Sequence, residues 1–217
     1  MANKMYSNNY KETFETWNKV ALLYQDKFMN LDIYNESYDF FCAAFSKQQP
    51  HILEIACGPG NITKYLLKVR PDFQITAIDI APAMIELAQK NNPTVHFKVM
   101  DAREISILNT NYDGIIAGFC LPYLSETDCS ELLNNCSNLI NTGGYLYLSF
   151  VEGGKEKSGY QTGSSGDRVY FYYHQQDNLT ELLLKNGFEK PYAFKVLYKK
   201  TEEFSDEHTI LISKKIS

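Results

Sequence analysis

The stretch His51-Ile52-Leu53-Glu54-Ile55-Ala56-Cys57-Gly58-Pro59-Gly60-Asn61 restricts what this chain can fold into more than any other. A short apolar run ends in an acid, a glycine-containing turn follows, and an amphipathic helix begins. A buried parallel strand feeding a ligand-binding turn has this pattern. Gly58 and Gly60 carry no Cβ to collide with a ligand drawn close to the backbone. Downstream, Phe73-Gln74-Ile75-Thr76-Ala77-Ile78-Asp79 is a second apolar run ending in an acid. It lies about 20 residues past the glycine turn, where nucleotide-binding folds place a ribose-binding carboxylate.

Together these residues resemble motif I and the following acidic position of the class I methyltransferases that use S-adenosylmethionine, in their small-molecule type. The family pattern is an apolar strand, Asp or Glu, then a loop close to Gly-Cys-Gly-x-Gly. Here it reads Leu53-Glu54-Ile55-Ala56-Cys57-Gly58-Pro59-Gly60, with Ala56 in place of the first glycine. A methyl group fits there if the backbone keeps a negative φ, at the cost of room beside the ligand.

The chain of 217 residues suits one domain able to bury a sizeable core. A hydrophobic content of 44% with 22% charged residues is globular. The net charge of −5 gives no electrostatic reason to seek nucleic acid or an anionic membrane. The first residues lack the apolar core of a secretory signal, and no run approaches membrane-spanning length, so a cytoplasmic protein is expected. Five cysteines without Cys-x-x-Cys spacing argue against a disulfide framework and a structural zinc site, and no metal is expected.

In chain order, Phe14, Trp17, Val20, Ala21, Tyr24 and Phe28 form one helical stripe, and Tyr34, Tyr38, Phe41 and Phe45 a second, predicting two helices before the first strand. After Asp79, Pro82 opens a helix that has no Ser or Asp cap of its own. Thr94 to Val99, Tyr112 to Gly118 and Tyr145 to Phe150 read as further strands, and Ser125 with Asp128 as a capping box. Residues 152–168 have no apolar period and read as a long polar flap beside the acceptor pocket. Val169 to His174 is strand-like, Asn178 with Glu181 caps a last helix, and Ala193 to Tyr198 and Thr209 to Ser213 suit the final strands. The alternation predicts an α/β, doubly wound, Rossmann-like sheet whose site lies at the carboxyl ends of the strands. With the resemblance it becomes seven-stranded and mostly parallel, with an antiparallel last strand. The expected division is an N-terminal helical cap (1–48), a cofactor-binding core (50–150), and a segment with flap, last helix and final strands (151–217), in one domain.

The resemblance implies S-adenosyl-L-methionine as cofactor, S-adenosyl-L-homocysteine as product, and a role for each strand end. Asp79 would accept two hydrogen bonds from the ribose diol, and Ile80 and Met84 would sandwich the adenine. Asp101 would read the adenine amino group and the Ala102 N–H a ring nitrogen. Glu54 would act near the amino-acid end through its charge or a water, with Ala56, Cys57, Gly58 and Gly60 forming the loop. The carbonyl of Ala117 or Gly118 would take the ammonium, and Phe119 would wall the sulfonium. Tyr24 and Phe28 are expected as lid residues, with Cys120 and Tyr123 on the acceptor side.

Methyl transfer from a sulfonium needs mainly placement. If a base assists, His174 and Tyr123 are candidates by position, whereas His51, His96 and His208 read as strand or surface residues. The expected activity is methyl transfer to a small-molecule acceptor by a monomer or homodimer. Two alternatives stand beside it. One is a non-catalytic S-adenosylmethionine-binding protein. The other is an NAD-dependent oxidoreductase, which would want a third glycine where Asn61 or Thr63 stands.

Overall fold

The computed structural model describes residues 8–163, 165–200 and 205–216. The apolar runs become β1 (His51–Ile55), β2 (Gln74–Asp79), β3 (His96–Val99), β4 (Tyr112–Ala117) and β5 (Ile140–Val151). A short hairpin, β6 (Gly159–Thr162) and β7 (Arg168–Phe171), precedes β8 (Tyr192–Lys199) and β9 (Ser205–Lys214). Seven of these strands form one sheet in the order β3-β2-β1-β4-β5-β9-β8. Neighbours from β3 to β5 are parallel, while β9 runs antiparallel to both β5 and β8. The sheet is thus Rossmann-like and mostly parallel, with the last strand of the chain reversed and inserted one place from the edge. Strand order turns back between β1 and β4, which makes their carboxyl ends the switch point where such sheets bind ligands.

Among the described residues seven α-helices flank it: α1 (Asn8–Lys19), α2 (Ala21–Phe28), α3 (Asn35–Ala43), α4 (Asn61–Val69), α5 (Pro82–Asn91), α6 (Glu126–Leu139) and α7 (Gln176–Lys185). None among the described residues is long and apolar enough to cross a membrane. Ile52 packs with α3 and α4 on one face of the sheet, and Leu53 and Ile55 pack with α6 and α7 on the other. These three side chains are fully buried, at about 1.5–3 kcal/mol each. They help to offset the cost of burying Glu54 completely in the same strand.

Three local expectations are corrected, each because a distant partner decides the matter. The first aromatic stripe is two helices, not one. The chain bends at Val20, although the Val20 N–H to Thr16 and Tyr24 N–H to Val20 bonds continue across the bend. Beside the bend, Asn18 Oδ1 accepts the Ala83 N–H at 2.9 Å and so caps α5 from outside. The last helix begins at Gln176, ahead of Asn178, and its first N–H goes to Glu152 Oε1 at 3.0 Å.

The third correction concerns residues 152–168, which are not a structureless flap. They contain a 3₁₀ turn at Lys155–Lys157 and strand β6, paired with β7. The hairpin docks on α1: Thr13 Oγ1 accepts the Tyr170 N–H at 2.9 Å, Thr16 Oγ1 donates to the Arg168 carbonyl at 2.8 Å, and Lys19 pairs with Asp167 at 2.7 Å. Helix α1 and the hairpin therefore form one cover over the carboxyl ends of the strands.

Candidate active site

The turn after β1 carries three left-handed residues, Ala56 at φ 57°, Gly58 at φ 54° and Gly60 at φ 80°. Ala56 therefore does not keep the negative φ under which a methyl group is easily accommodated. An L-residue in this region is strained by about 1–2 kcal/mol. Ala56→Gly should relieve that strain, less about 0.4–1 kcal/mol of added unfolded-chain entropy. A small net rise in the chemical-denaturation midpoint is expected, and a fall would contradict the strain. Gly60 faces away from the ligand side: a Cβ there would lie 2.5 Å from Asn92 Nδ2, whose amide donates to the Gly60 carbonyl at 3.0 Å.

Asp79 ties this turn to the next helix. Its Oδ2 accepts the Gly58 N–H and its Oδ1 the Ala81 N–H, both at 2.9 Å. Burial pushes its carboxyl up to about 6, against the pull of the backbone N–H groups of Ala81, Gly58 and Ile80. Glu54, one residue from the end of β1, is more deeply enclosed. Thr63 Oγ1 donates to its Oε2, while Oε1 is buried with no hydrogen-bond partner among the described residues. Burial raises its carboxyl to about 8, which favours the protonated form at neutral pH in the unliganded protein.

A cleft opens over these strand ends. Its wall brings together Ala56, Gly58, Asp79, Ile80, Met84, Asp101, Ala102, Gly118, Phe119, Cys120, Tyr123 and Tyr24. Helix α1 adds Tyr10, Thr13, Phe14 and Trp17, of which only Phe14 and Trp17 belong to the aromatic stripe read from the sequence. Glu54, Cys57, Gly60, Ala117 and Phe28 lie outside this wall. Asp101 does not present a free carboxylate. Arg103 Nη2 reaches its Oδ2 at 2.5 Å, Arg103 Nε lies 3.1 Å from both oxygens, and the Arg103 N–H bonds Oδ1 at 2.9 Å. The guanidinium also stacks 4.2 Å from the Tyr10 ring, and the Tyr10 hydroxyl donates to Asp128. Arg103 was legible only as a neighbour of Asp101.

A second cavity adjoins the first and shares Trp17, Tyr24, Ala56, Gly118, Phe119 and Tyr123 with it. Phe119 stands in the partition at φ 54°, its N–H held by Ser149 Oγ at 2.8 Å. Such strained residues gather at functional sites, where the surroundings over-determine them. Phe28 and Cys57 line this second space, as does His208. His208 is a strand residue, as expected, but not a surface one: it is 7% exposed. Its Nδ1 lies 2.6 Å from the Tyr34 hydroxyl, and burial lowers its pKa to about 4. The clue missed was its place just before Thr209 to Ser213, the run that becomes the buried part of β9.

His174, by contrast, lies in neither wall. Its Nε2 donates to the Leu121 carbonyl at 2.8 Å, and Cys129 Sγ is 3.7 Å away. Burial lowers its pKa, and its position beneath the loop after β4 removes it from consideration as a base.

Comparison with known proteins agrees with this geometry. Residues 52–144 match the family model described as a methyltransferase domain. The malonyl-[acyl-carrier protein] O-methyltransferase of Acetivibrio thermocellus is 38% identical over 106 residues, 48% of this chain and 36% of that protein. That of Priestia megaterium is 28% identical over 206 residues, 88% of this chain and 71% of that protein. This chain spans about half or less of the length of the first curated relatives it matches. Among solved structures, the 1,6-didemethyltoxoflavin N1-methyltransferase of Burkholderia thailandensis superimposes with a TM-score of 0.71 at 16% identity. The match covers 100% of this chain and 94% of that one, and the structure holds 1,6-didemethyltoxoflavin and S-adenosylhomocysteine. At this identity the likeness is one of fold. The matched stretch is similar to a methyltransferase domain, and the strand order and the glycine turn that leads into α4 give the chain the Rossmann-like fold of the methyltransferase structures it resembles.

Proposed function

We propose that this protein transfers a methyl group from S-adenosylmethionine to a small-molecule acceptor and releases S-adenosylhomocysteine. The observation that carries the reading is Asp79, a buried carboxylate in the cleft wall between the glycine turn and α5. Its Oδ2 accepts the Gly58 N–H and its Oδ1 the Ala81 N–H, and the carboxylate keeps lone-pair capacity for further donors, which suits the hydroxyls of a ribose. Ile80 and Met84 offer apolar contact for the adenine, with the Ala102 N–H beside it. Asp101 would meet the amino group only by sharing oxygens already bonded to Arg103. Gly118, in the cleft wall, offers a carbonyl for the ammonium, with Glu54 on the neighbouring strand β1, and the ring of Phe119 suits a cation.

When bound, the cofactor supplies a methyl already activated on sulfonium. The chain's task is then placement, which in well-oriented reactions is worth about 7–11 kcal/mol. The second cavity, entered across Phe119, favours a transferase over a protein that only binds the cofactor. The cover made by α1 and the hairpin favours a small acceptor over a polymer, as with the toxoflavin precursor of the Burkholderia enzyme.

Calorimetry tests the reading. Saturable binding of S-adenosylmethionine at micromolar concentration, with none of NAD, is expected. Binding of NAD in preference would overturn it, because a ribose-binding carboxylate serves both ligands.

A further inference from the structure

We infer that the second cavity is the acceptor subsite for a flat, uncharged aromatic or heteroaromatic molecule bearing an ionisable hydroxyl, and that His208 receives the hydroxyl proton. This rests on the methyltransferase reading above. Three observations carry it.

The first is position. The His208 ring centroid is 4.9 Å from that of Phe119, the residue that walls both spaces, so His208 stands one ring away from the cofactor cleft. Of the four histidines, His51 and His96 are exposed and His174 lies under the loop after β4.

The second is shape. Tyr34 and Tyr198 lie nearly parallel to the imidazole, at 10° and 13°, with centroids 6.0 and 5.1 Å away. With Phe28 and Phe171 they make a wall of ring faces and edges, complementary to a flat π-system through offset and edge-on contacts.

The third is charge. The groups facing His208 are Tyr34 ahead of α3, Tyr198 on β8, and Asp206 and Lys200 at the end of the β8–β9 pair where Tyr198 is opposite Asp206. Lys200 and Asp206 are ion-paired with each other, so the wall presents no net charge to a carboxylate or an ammonium. Burial keeps the imidazole neutral at physiological pH, with a lone pair available. It also makes His208 a weak base, which suits an aryl hydroxyl, acidic near 10 as in tyrosine, and not an aliphatic alcohol.

In the step, the acceptor's O–H bond breaks and its proton goes to Nε2. The oxygen forms the new bond to the methyl carbon, and the electron pair of the broken carbon–sulfur bond leaves with the thioether. Nδ1–H donates to the Tyr34 oxygen, which steadies the imidazolium until its proton passes to water. Tyr34 is thus a positioning residue.

The test uses the whole protein in three arms. Calorimetry first establishes S-adenosylmethionine binding. In cofactor-free protein, 4-nitrophenol should quench the fluorescence of Trp17, the single tryptophan and a wall of both spaces. It should do so equally in wild type and His208→Gln, which also shows that the variant folds. Turnover is then followed by S-adenosylhomocysteine release with naphthols and hydroxyquinolines against alkyl alcohols, alkylamines and benzoates of similar size. Aryl hydroxyls alone should react. His208→Gln should lower kcat by about 10²–10⁴-fold with little change in KM, and Tyr34→Phe should lower kcat less, again with KM held. Cofactor binding combined with turnover of amines, alkyl alcohols or carboxylates instead, or with undiminished kcat in His208→Gln, overturns the inference and leaves the methyltransferase reading standing. Absent quenching in wild type overturns the subsite. Absent cofactor binding overturns both.

Discussion

Asp79→Ala is expected to weaken S-adenosylmethionine binding by at least 100-fold. A hydrogen bond to a charged group contributes about 1.5–3 kcal/mol, and each factor of ten in affinity is about 1.4 kcal/mol. Two ribose hydroxyls on one carboxylate therefore account for about 10²-fold even at the low end. The same carboxylate holds the Gly58 and Ala81 N–H groups, so the variant also loosens the turn beneath the ligand. Asp79→Asn keeps an acceptor for one of them and should fall between wild type and alanine.

The pH dependence separates charge from shape. With the free carboxyl at about 6, and the ligand bound by the ionised form, affinity should weaken as pH drops through 6. From pH 7 to pH 5 the ionised fraction, and with it the binding constant, falls about tenfold. Asp79→Asn should be flat across the same interval. An alanine variant that binds within threefold of wild type would remove the diol contact, and the central support of the cofactor assignment with it.

The parts of the fold legible in the sequence are those set by local periodicity. Buried parallel strands are continuous apolar runs, and the acids and glycines that end them mark the switch point, so Glu54, Gly58, Asp79 and Asp101 could be placed on successive strand tips before any coordinates. What escaped was decided by partners far away in the chain. The bend at Val20 lies beside the Asn18–Ala83 bond, α7 starts where Glu152 meets Gln176, and the hairpin is ordered by two threonines of α1. Asp101 illustrates the same limit at the site, because an acid at a strand end does not reveal that Arg103 folds back onto it. His208 required knowing that β9 is inserted beside β5, which brings a residue near the end of the chain to the mouth of β4.

Glu54 leads to the second large effect, on stability. Its carboxyl is raised from 4.5 to about 8, with burial the principal cause. Between those values the folded protein holds a proton that the unfolded chain has lost, so stability falls as pH rises through the interval and the full loss is reached above pH 8. At about 1.4 kcal/mol per pK unit the swing is roughly 3–5 kcal/mol. Wild-type unfolding free energy should therefore decline from pH 5 to pH 9 more steeply than in Glu54→Gln, which cannot ionise and whose amide oxygen can still accept from Thr63. At pH 8 the variant should be the more stable by about 1–3 kcal/mol, because its extra amide N–H groups sit where Oε1 already lacks a partner and offset part of the gain. In a chain of this size that is about 2–12 °C in Tm. Ligand binding should reverse the ionisation: an ammonium brought near Glu54 favours the carboxylate, so wild type releases a proton on binding S-adenosylmethionine at pH 7. Calorimetry in buffers of different ionisation enthalpy reads that proton directly, and its disappearance in Glu54→Gln would assign it to this residue. Equal release in both proteins would place the amino-acid end of the ligand elsewhere.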